Sequence, residues 1–150
     1  AAIAIPGLLR ARMAGQEASA IGSLRAIISA QALYAASCAG GGYAVDLADL
    51  AKPSTVGAAG FVGLDIGANG VVKSGYILTI EAEAGSTPVA TTTCNESANP
   101  PVTAFFVSAI PVTPGTTGTR YFATDTRGTI VFSRTGPIPN PIPVDATSVQ

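Results

Sequence analysis

Apolar residues recur at intervals of three and four residues from Pro6 to about Ser37, the spacing that places side chains on one face of a helix. Thirteen of the first 39 residues are Ala, the best helix former, and a run of glycines then provides a stop. The pattern predicts one helix of about 32 residues, about 48 Å long. A domain of this size cannot cover such a helix along its whole length.

The two ends of this helix differ in how many large apolar residues they carry. Residues 20–39 contain enough for a wide stripe that packs on a sheet: Ile21, Leu24, Ile27, Ile28, Leu33 and Tyr34. Residues 1–19 are mainly Ala, with Ile3, Ile5, Leu8, Leu9 and Met13, and Pro6 either starts or kinks the helix there. We predict that residues 1–19 project and pack against other copies of the chain; the alternative is a frayed N-terminal extension.

Residues 40–150 have a different composition, because fifteen of the sixteen Thr follow residue 78 and ten of the eleven Pro follow residue 52. Such a composition favours β-structure with irregular loops. We expect a connecting region over residues 40–73, with one short helix at 45–51, followed by four antiparallel strands. The predicted fold is therefore α+β, a long N-terminal helix packed on a four-stranded sheet.

Each predicted strand has its own signal. Residues 76–83 alternate apolar and polar, which is typical of a half-buried strand, whereas residues 102–110 are apolar on both faces and belong inside the sheet or under a partner. Residues 119–124 and 129–134 form a hairpin around Asp125-Thr126-Arg127-Gly128, a sequence suited to a type I turn. The Pro-rich residues 135–150 predict an extended tail without ladder hydrogen bonds.

Charge and composition exclude several functional classes. The chain has 8 basic and 9 acidic side chains, so it carries no electrostatic footprint for nucleic acid. It contains no His, which removes Ser-His-Asp and Cys-His catalysis, His-based zinc sites and His-ligated haem. We therefore expect no enzyme, cofactor or metal site.

The mean hydropathy of +0.43 is high for a chain without a membrane span. The N-terminal apolar run reaches Arg10 after nine residues, whereas a span needs about 20. Since the chain opens directly with apolar residues and without Met, we expect it to be processed or truncated. The high hydropathy then implies an apolar surface that binds partner chains.

Cys38 and Cys94 are the two cysteines of the chain. We expect them to form a disulfide, which would close a loop of 57 residues and contribute about 4 kcal/mol in the chain-entropy view. The alternative is a pair of buried free thiols. No Cys-x-x-Cys motif occurs, which argues against redox-motif and zinc-knuckle interpretations.

The remaining polar candidates have ordinary alternatives. Glu81 and Glu83 share one face of a strand and could form a glycosidase-like pair, but neighbouring carboxylates on a solvent face are far commoner. Asp65 with Asn69, or Asp125 in its turn, could contribute calcium ligands, although no calcium-loop motif is present. The glycan acceptors suggested by sequence are Asn95 and Thr117. The helix is mildly basic, because it carries three arginines, Arg10, Arg12 and Arg25, and one acidic residue, Glu17. We expect these charges to lie on a face that contacts solvent or another subunit.

Several segments resemble the type IV pilins and pseudopilins. Residues 1–6 are similar to the last third of the family's hydrophobic N-terminal segment, including its Pro, and the following helix resembles the continuation in many members. The segments that carry the resemblance are 1–6, 8–12, 17–18, 23–25, 42–43, 73–76 and 114–120, with Asp125 and Gly128. The family's processing site, its methylated first residue and the acidic residue that follows are missing, and its disulfide usually closes a loop nearer the C-terminus.

This resemblance implies a lollipop shape and a structural role. Its helices would bundle in a filament core, with Ile3, Ile5, Pro6, Leu8, Leu9 and Met13 as core contacts. Its globular headgroup, which comprises residues 40–150, would form the outer surface. It implies a bacterial homo-oligomer that is held in the inner membrane by assembly machinery and then becomes an extracellular filament. Two alternatives stay open: a type II secretion pseudopilin, and a minor pilin or adhesin that binds a ligand through loops 84–101 and 111–119.

Overall fold

A computed structural model describes residues 4–55 and 58–149. Two helices, α1 (Ala4–Ser37) and α2 (Leu47–Ala51), and a 3-10 turn (Leu64–Ile66) precede the sheet. Its strands are β1 (Val71–Lys73), β2 (Tyr76–Ala82), β3 (Phe105–Pro111), β4 (Tyr121–Asp125), β5 (Val131–Ser133) and β6 (Thr147–Ser148). The α+β class predicted from the sequence is confirmed, with six strands in place of the four expected.

Helix α1 begins two residues before Pro6 and ends at the predicted Ser37. Its buried positions recur every three or four residues from residue 17 onward, as an amphipathic helix requires. They are Glu17, Ala20, Ser23, Leu24, Ile27, Ala30, Gln31, Tyr34 and Ala35. Past the helix end, Gly40 and Gly41 have φ values of +57° and +92°, and the Gly41 amide donates to the Ala35 carbonyl at 2.9 Å, which satisfies a terminal carbonyl.

One residue of the predicted helical stripe lies outside it. Leu33 is 56% exposed, although the prediction placed it against the sheet. The reason is the helical angle, since the buried line runs through Ala30, Gln31 and Tyr34 and leaves Leu33 on the solvent side.

The sheet is an antiparallel meander in which each strand pairs with the next along the chain. The two strands that the sequence did not predict are its edges, β1 and β6. Strand β1 is joined to β2 by a two-residue turn, and Ser74 and Gly75 both have positive φ, at 48° and 77°. A two-residue turn with positive φ at both residues has a backbone twist that matches the right-handed twist of the two strands it joins. Strand β6 lies in the Pro-rich tail and pairs with β5, so the tail does make ladder contacts.

Apolar residues cover both faces of this sheet. On one face, Leu78, Ile80, Val107 and Phe122 pack under α1, against residues that include Leu24 and Ile27. On the other face, a smaller cluster joins Phe106, Ala123 and Val131 to Ile142 of the tail. The apolar character of both sides of β3 is thereby explained, because the helix covers one side and the tail covers the other.

The end of α1 is fastened to the loops that follow it. The expected disulfide between Cys38 and Cys94 is present, with a Cα–Cα distance of 4.7 Å. The buried Gln31 side chain makes two hydrogen bonds to the backbone of Ala44, at 2.7 and 2.9 Å. Asp49 of α2 is buried and accepts hydrogen bonds from the backbone amide of Ala98 and the side chain of Asn99, both at 2.8 Å. The disulfide and the Asp49 contacts hold the loop between β2 and β3 against the helices. The Gln31 contacts hold the segment before α2 against α1.

Candidate functional site

Among the residues that the structure describes, none covers residues 5–12, the N-terminal part of α1. Ile5, Leu8 and Leu9 are 63%, 71% and 52% exposed, Pro6 is exposed as well, and Met13 is half-buried. Ile3, which the sequence also predicted as a core contact, lies outside the described residues. Large apolar side chains grouped on an uncovered helix make this segment a candidate interaction surface.

Two arginines accompany these apolar residues. Arg10 and Arg12 are exposed, and they are the only charged residues between positions 4 and 16. Among the described residues, neither forms an ion pair, since the three ion pairs found there involve Lys73, Arg120 and Arg127. The segment over residues 5–12, which is the exposed part of the N-terminal half of α1 and is named here the projecting half, is therefore apolar and cationic.

Contact with the headgroup begins where the projecting half ends. Gln16 packs so closely on Gly75 that a Cβ at position 75 would lie 2.8 Å from Gln16 Nε2. Ser19 Oγ donates to Ser74 Oγ at 2.9 Å. Both contacts use the turn between β1 and β2, so this turn marks the edge of the covered part of α1.

Glu17 makes the principal polar contact between α1 and the headgroup. Its Oε1 accepts hydrogen bonds from the Thr119 amide at 2.8 Å and from the Thr119 hydroxyl at 3.1 Å. Its Oε2 accepts a hydrogen bond from Arg120 Nε at 2.8 Å, and the two side chains form an ion pair. Burial raises the pKa of Glu17, but the Thr119 amide together with the hydrogen bond and charge of Arg120 outweighs it and holds the pKa below its ordinary value.

The segment that receives Glu17 is itself tightly packed. Tyr76 is buried and its hydroxyl donates to the Arg120 carbonyl at 2.8 Å. Burial raises the pKa of Tyr76, with the Glu17 charge as the next cause. A Cβ at Gly118 would lie 2.0 Å from the Tyr76 hydroxyl, so only glycine fits there. The Arg120 guanidinium lies 5.0 Å from the Phe122 ring centroid and 5.2 Å from that of Phe132, which fixes its direction further.

The other residues predicted from the sequence are scattered. Asn95 is buried and its Nδ2 donates to the carbonyls of Asp49 and Lys52 at 2.7 and 3.0 Å, so the atom that would carry a glycan is engaged in the fold. Thr117 is half-buried, and its hydroxyl donates a hydrogen bond to the Thr113 carbonyl in the same loop at 3.3 Å.

The carboxylates suggested as calcium ligands have other partners. Asp65 pairs with Lys73 at 2.6 Å, and Asp125 binds Arg127 through both of its oxygens. The Asn69 side chain bonds the backbone of Ile80, at 2.8 and 3.0 Å. Within residues 4–55 and 58–149, no group of three or more metal-ligating side chains comes together.

Glu17 as a structural contact was not predicted from the sequence, which suggested a solvated or subunit-contacting face. The available signal was its position as the lone carboxylate among the first 45 residues.

None of the helices in the described part of the chain combines the length and the apolar character that are needed to cross a membrane. Comparisons of the chain with family models, with curated proteins and with solved structures find no match.

Proposed function

We propose that the chain is a structural subunit that polymerises into a type IV pilus-like filament through its N-terminal helix. In this proposal the helices of many copies bundle in the filament core, and the sheets with their loops form the outer surface. The subunit is bacterial, is held in the inner membrane by assembly machinery before polymerisation, and becomes extracellular in the filament. The resemblance of residues 1–43 to the pilin family is one source of the proposal.

The observation that carries the proposal is the division of α1 into a covered and an uncovered half. Fully burying one side chain of the size of Ile or Leu is worth about 1.5–3 kcal/mol relative to exposing it. Ile5, Leu8 and Leu9 forgo most of that stabilisation in a single copy. Packing against the helices of other copies would recover it, which favours assembly over a monomeric role.

The rest of the chain is suited to hold this helix firmly. Three sets of contacts attach α1 to the headgroup. Glu17 holds it where the exposed segment ends, the Gln31–Ala44 hydrogen bonds hold it further along, and the Cys38–Cys94 disulfide holds the chain just past its C-terminal end. A force applied to the projecting half is therefore transmitted to the folded headgroup. A subunit that carries tension along a filament requires such attachment at several points.

Electron microscopy of matched variants tests the proposal. Wild-type protein is expected to form long filaments, and the double variant Leu8→Asp with Leu9→Asp is expected to stay unassembled, because it places two carboxylates where apolar contacts are needed. Val144→Asp is the control, since Val144 is an apolar residue of the tail that is 98% exposed. Circular dichroism checks that each variant is folded. Filaments from the Leu8 and Leu9 variant equal in number to wild type would overturn the proposal.

A further inference from the structure

A loop segment without helix or strand, residues 91–101 between β2 and β3, is held by buried polar side chains. The hydroxyl of the fully buried Tyr34 lies 2.6 Å from the Ser97 hydroxyl, which lies 2.6 Å from that of the buried Thr93. The Ser97 amide also donates to the Thr93 hydroxyl at 2.8 Å. The disulfide at Cys94 adds a covalent link to the end of α1. This segment is therefore fastened to α1 at several points.

A second set of contacts fastens the segment to α2. The buried Asp49 carboxylate accepts hydrogen bonds from the Ala98 amide and from Asn99 Nδ2, both at 2.8 Å. The buried Asn95 donates through Nδ2 to the carbonyls of Asp49 and Lys52, at 2.7 and 3.0 Å. A buried polar network whose members are satisfied makes a structure rigid and specific in shape. Residues 91–101 therefore form a preformed surface.

Glu96 has an unusual backbone conformation at the centre of this segment. Its φ is +49°, and a residue other than glycine keeps such a value only where the surrounding structure enforces it, often at a binding site. The Glu96 amide donates to the Thr93 carbonyl at 3.1 Å, and the Glu96 carbonyl accepts a hydrogen bond from Lys52 Nζ. Glu96 is exposed, and its carboxylate takes part in none of the ion pairs found among the described residues. The backbone is thus fixed while the carboxylate is open to a ligand.

A cleft of about 320 Å³ lies beside Glu96. Sites for small ligands have volumes of about 300–1,000 Å³. The Asn99 amide nitrogen is engaged by Asp49, so its Oδ1 remains as an acceptor for a ligand. The cleft walls include hydroxyl, amide and carboxylate groups and a proline ring, from Thr91, Thr92, Asn99, Glu96 and Pro100.

We propose that this cleft binds a neutral sugar, with the Glu96 carboxylate accepting hydrogen bonds from two neighbouring hydroxyl groups of the sugar ring. A carboxylate has two oxygens that only accept, which suits two adjacent hydroxyl donors. Asn99 Oδ1 and the Thr92 hydroxyl bond further hydroxyl groups, and the Pro100 ring contacts the C–H groups of the sugar. The Lys52 ammonium, which bonds the Glu96 carbonyl, offsets the charge of the carboxylate and so favours a neutral ligand.

The cleft is separate from the surface used in the proposed filament. It belongs to the segment attached past the C-terminal end of α1, whereas the projecting half covers residues 5–12. The two are roughly 40 Å apart along the helix. Sugar binding therefore goes beyond the proposed function and does not depend on polymerisation.

Saturation-transfer difference NMR on the full chain tests the sugar site. The probes are the methyl glycosides of glucose, galactose, mannose and N-acetylglucosamine, each at millimolar concentration. At least one should receive saturation from the wild-type protein, and titration gives its Kd. Glu96→Gln should raise that Kd about tenfold, because a charged acceptor is lost, and Thr92→Val should raise it about fivefold, because a hydroxyl is lost.

Matched controls remove the same groups elsewhere. Asp145→Asn removes an exposed carboxylate and Thr116→Val an exposed hydroxyl, both outside the cleft, and each should leave the Kd within about twofold of wild type. No saturation of any of the four glycosides, or equal Kd values for wild type and both cleft variants, would overturn the proposal. Binding of protonated glucosamine in place of the neutral glycosides would overturn it as well, because Glu96 would then recognise a positive charge. None of these results bears on filament formation, which electron microscopy measures separately.

Discussion

Glu17 and Arg120, separated by 103 positions in sequence, form an ion pair with 2.8 Å between Oε2 and Nε. The pair joins the middle of α1 to the segment that enters β4. Residues 5–12 of the helix are exposed, whereas from Glu17 onward one face of the helix is packed. Glu17 therefore marks the boundary between the part of α1 that packs on the headgroup and the exposed part that the proposed filament would bury between copies.

Removing either partner should destabilise the headgroup. Glu17→Ala and Arg120→Met should each lower the free energy of unfolding by about 2–3 kcal/mol, since each leaves a partly buried polar group without its partner. The exposed Arg12→Ala serves as control and should change it by less than about 0.5 kcal/mol. Urea unfolding measures these values, and the double variant gives a coupling energy above about 1 kcal/mol. Additive effects of the two substitutions would contradict a direct interaction.

The same carboxylate should make stability depend on pH. Because the pKa of Glu17 in the folded protein lies below that of the unfolded chain, its contribution is complete above the unfolded value and is lost as pH falls through the folded value. The difference in unfolding free energy between wild type and Glu17→Gln should be largest near pH 7 and should shrink below about pH 4. A difference that stays constant down to pH 2 would contradict this role for the carboxylate.

Gly118 should tolerate no side chain. Gly118→Ala places a Cβ about where the rigid Tyr76 hydroxyl lies and should lower the free energy of unfolding by about 2–3 kcal/mol. Gly22→Ala is the matched control, because nothing lies within 4 Å of the added Cβ on the exposed face of α1. Alanine is the better helix former, so that control should stabilise by about 0.5–1 kcal/mol. Equal melting temperatures for the two variants would contradict the packing described for Tyr76.

The disulfide should provide a large share of headgroup stability. Cys38 and Cys94 are separated by 56 positions, and closing a loop of that length is worth about 4 kcal/mol in the chain-entropy view. Cys38→Ala with Cys94→Ala should lower the free energy of unfolding by up to that amount. Wild-type protein under reducing conditions should behave like the variant. Unchanged stability after complete reduction, verified by intact mass, would refute this assignment.

The fold was most predictable where residues repeat with a period. The spacing of apolar residues in α1 and the alternation in β2 each predict an element whose ends lie within about two residues of those in the structure. Strands β1 and β6 have three and two residues, which is too few for an alternation of apolar and polar residues to be recognised in the sequence. Each depends on its neighbour, β1 through the Ser74-Gly75 turn and β6 through pairing with β5.

The candidate site was predictable only in part. The excess of apolar residues before Met13 could be recognised from the sequence, since a domain of 150 residues cannot cover so long a helix. The contact of Glu17 with Thr119 and Arg120 could not, because no local pattern connects positions more than 100 residues apart. The same limit applies to Asp49, whose burial depends on loop residues about 50 positions away.

Photo-crosslinking from position 8 tests the central claim most directly. A photoreactive amino acid that replaces the exposed Leu8 should, on illumination of assembled filaments, give a ladder of dimers and higher multimers in a denaturing gel. The same group at Val144 of the tail reports contacts away from α1 and should give far fewer crosslinks. Filaments in which position 8 yields no multimers would contradict packing of the projecting half between copies.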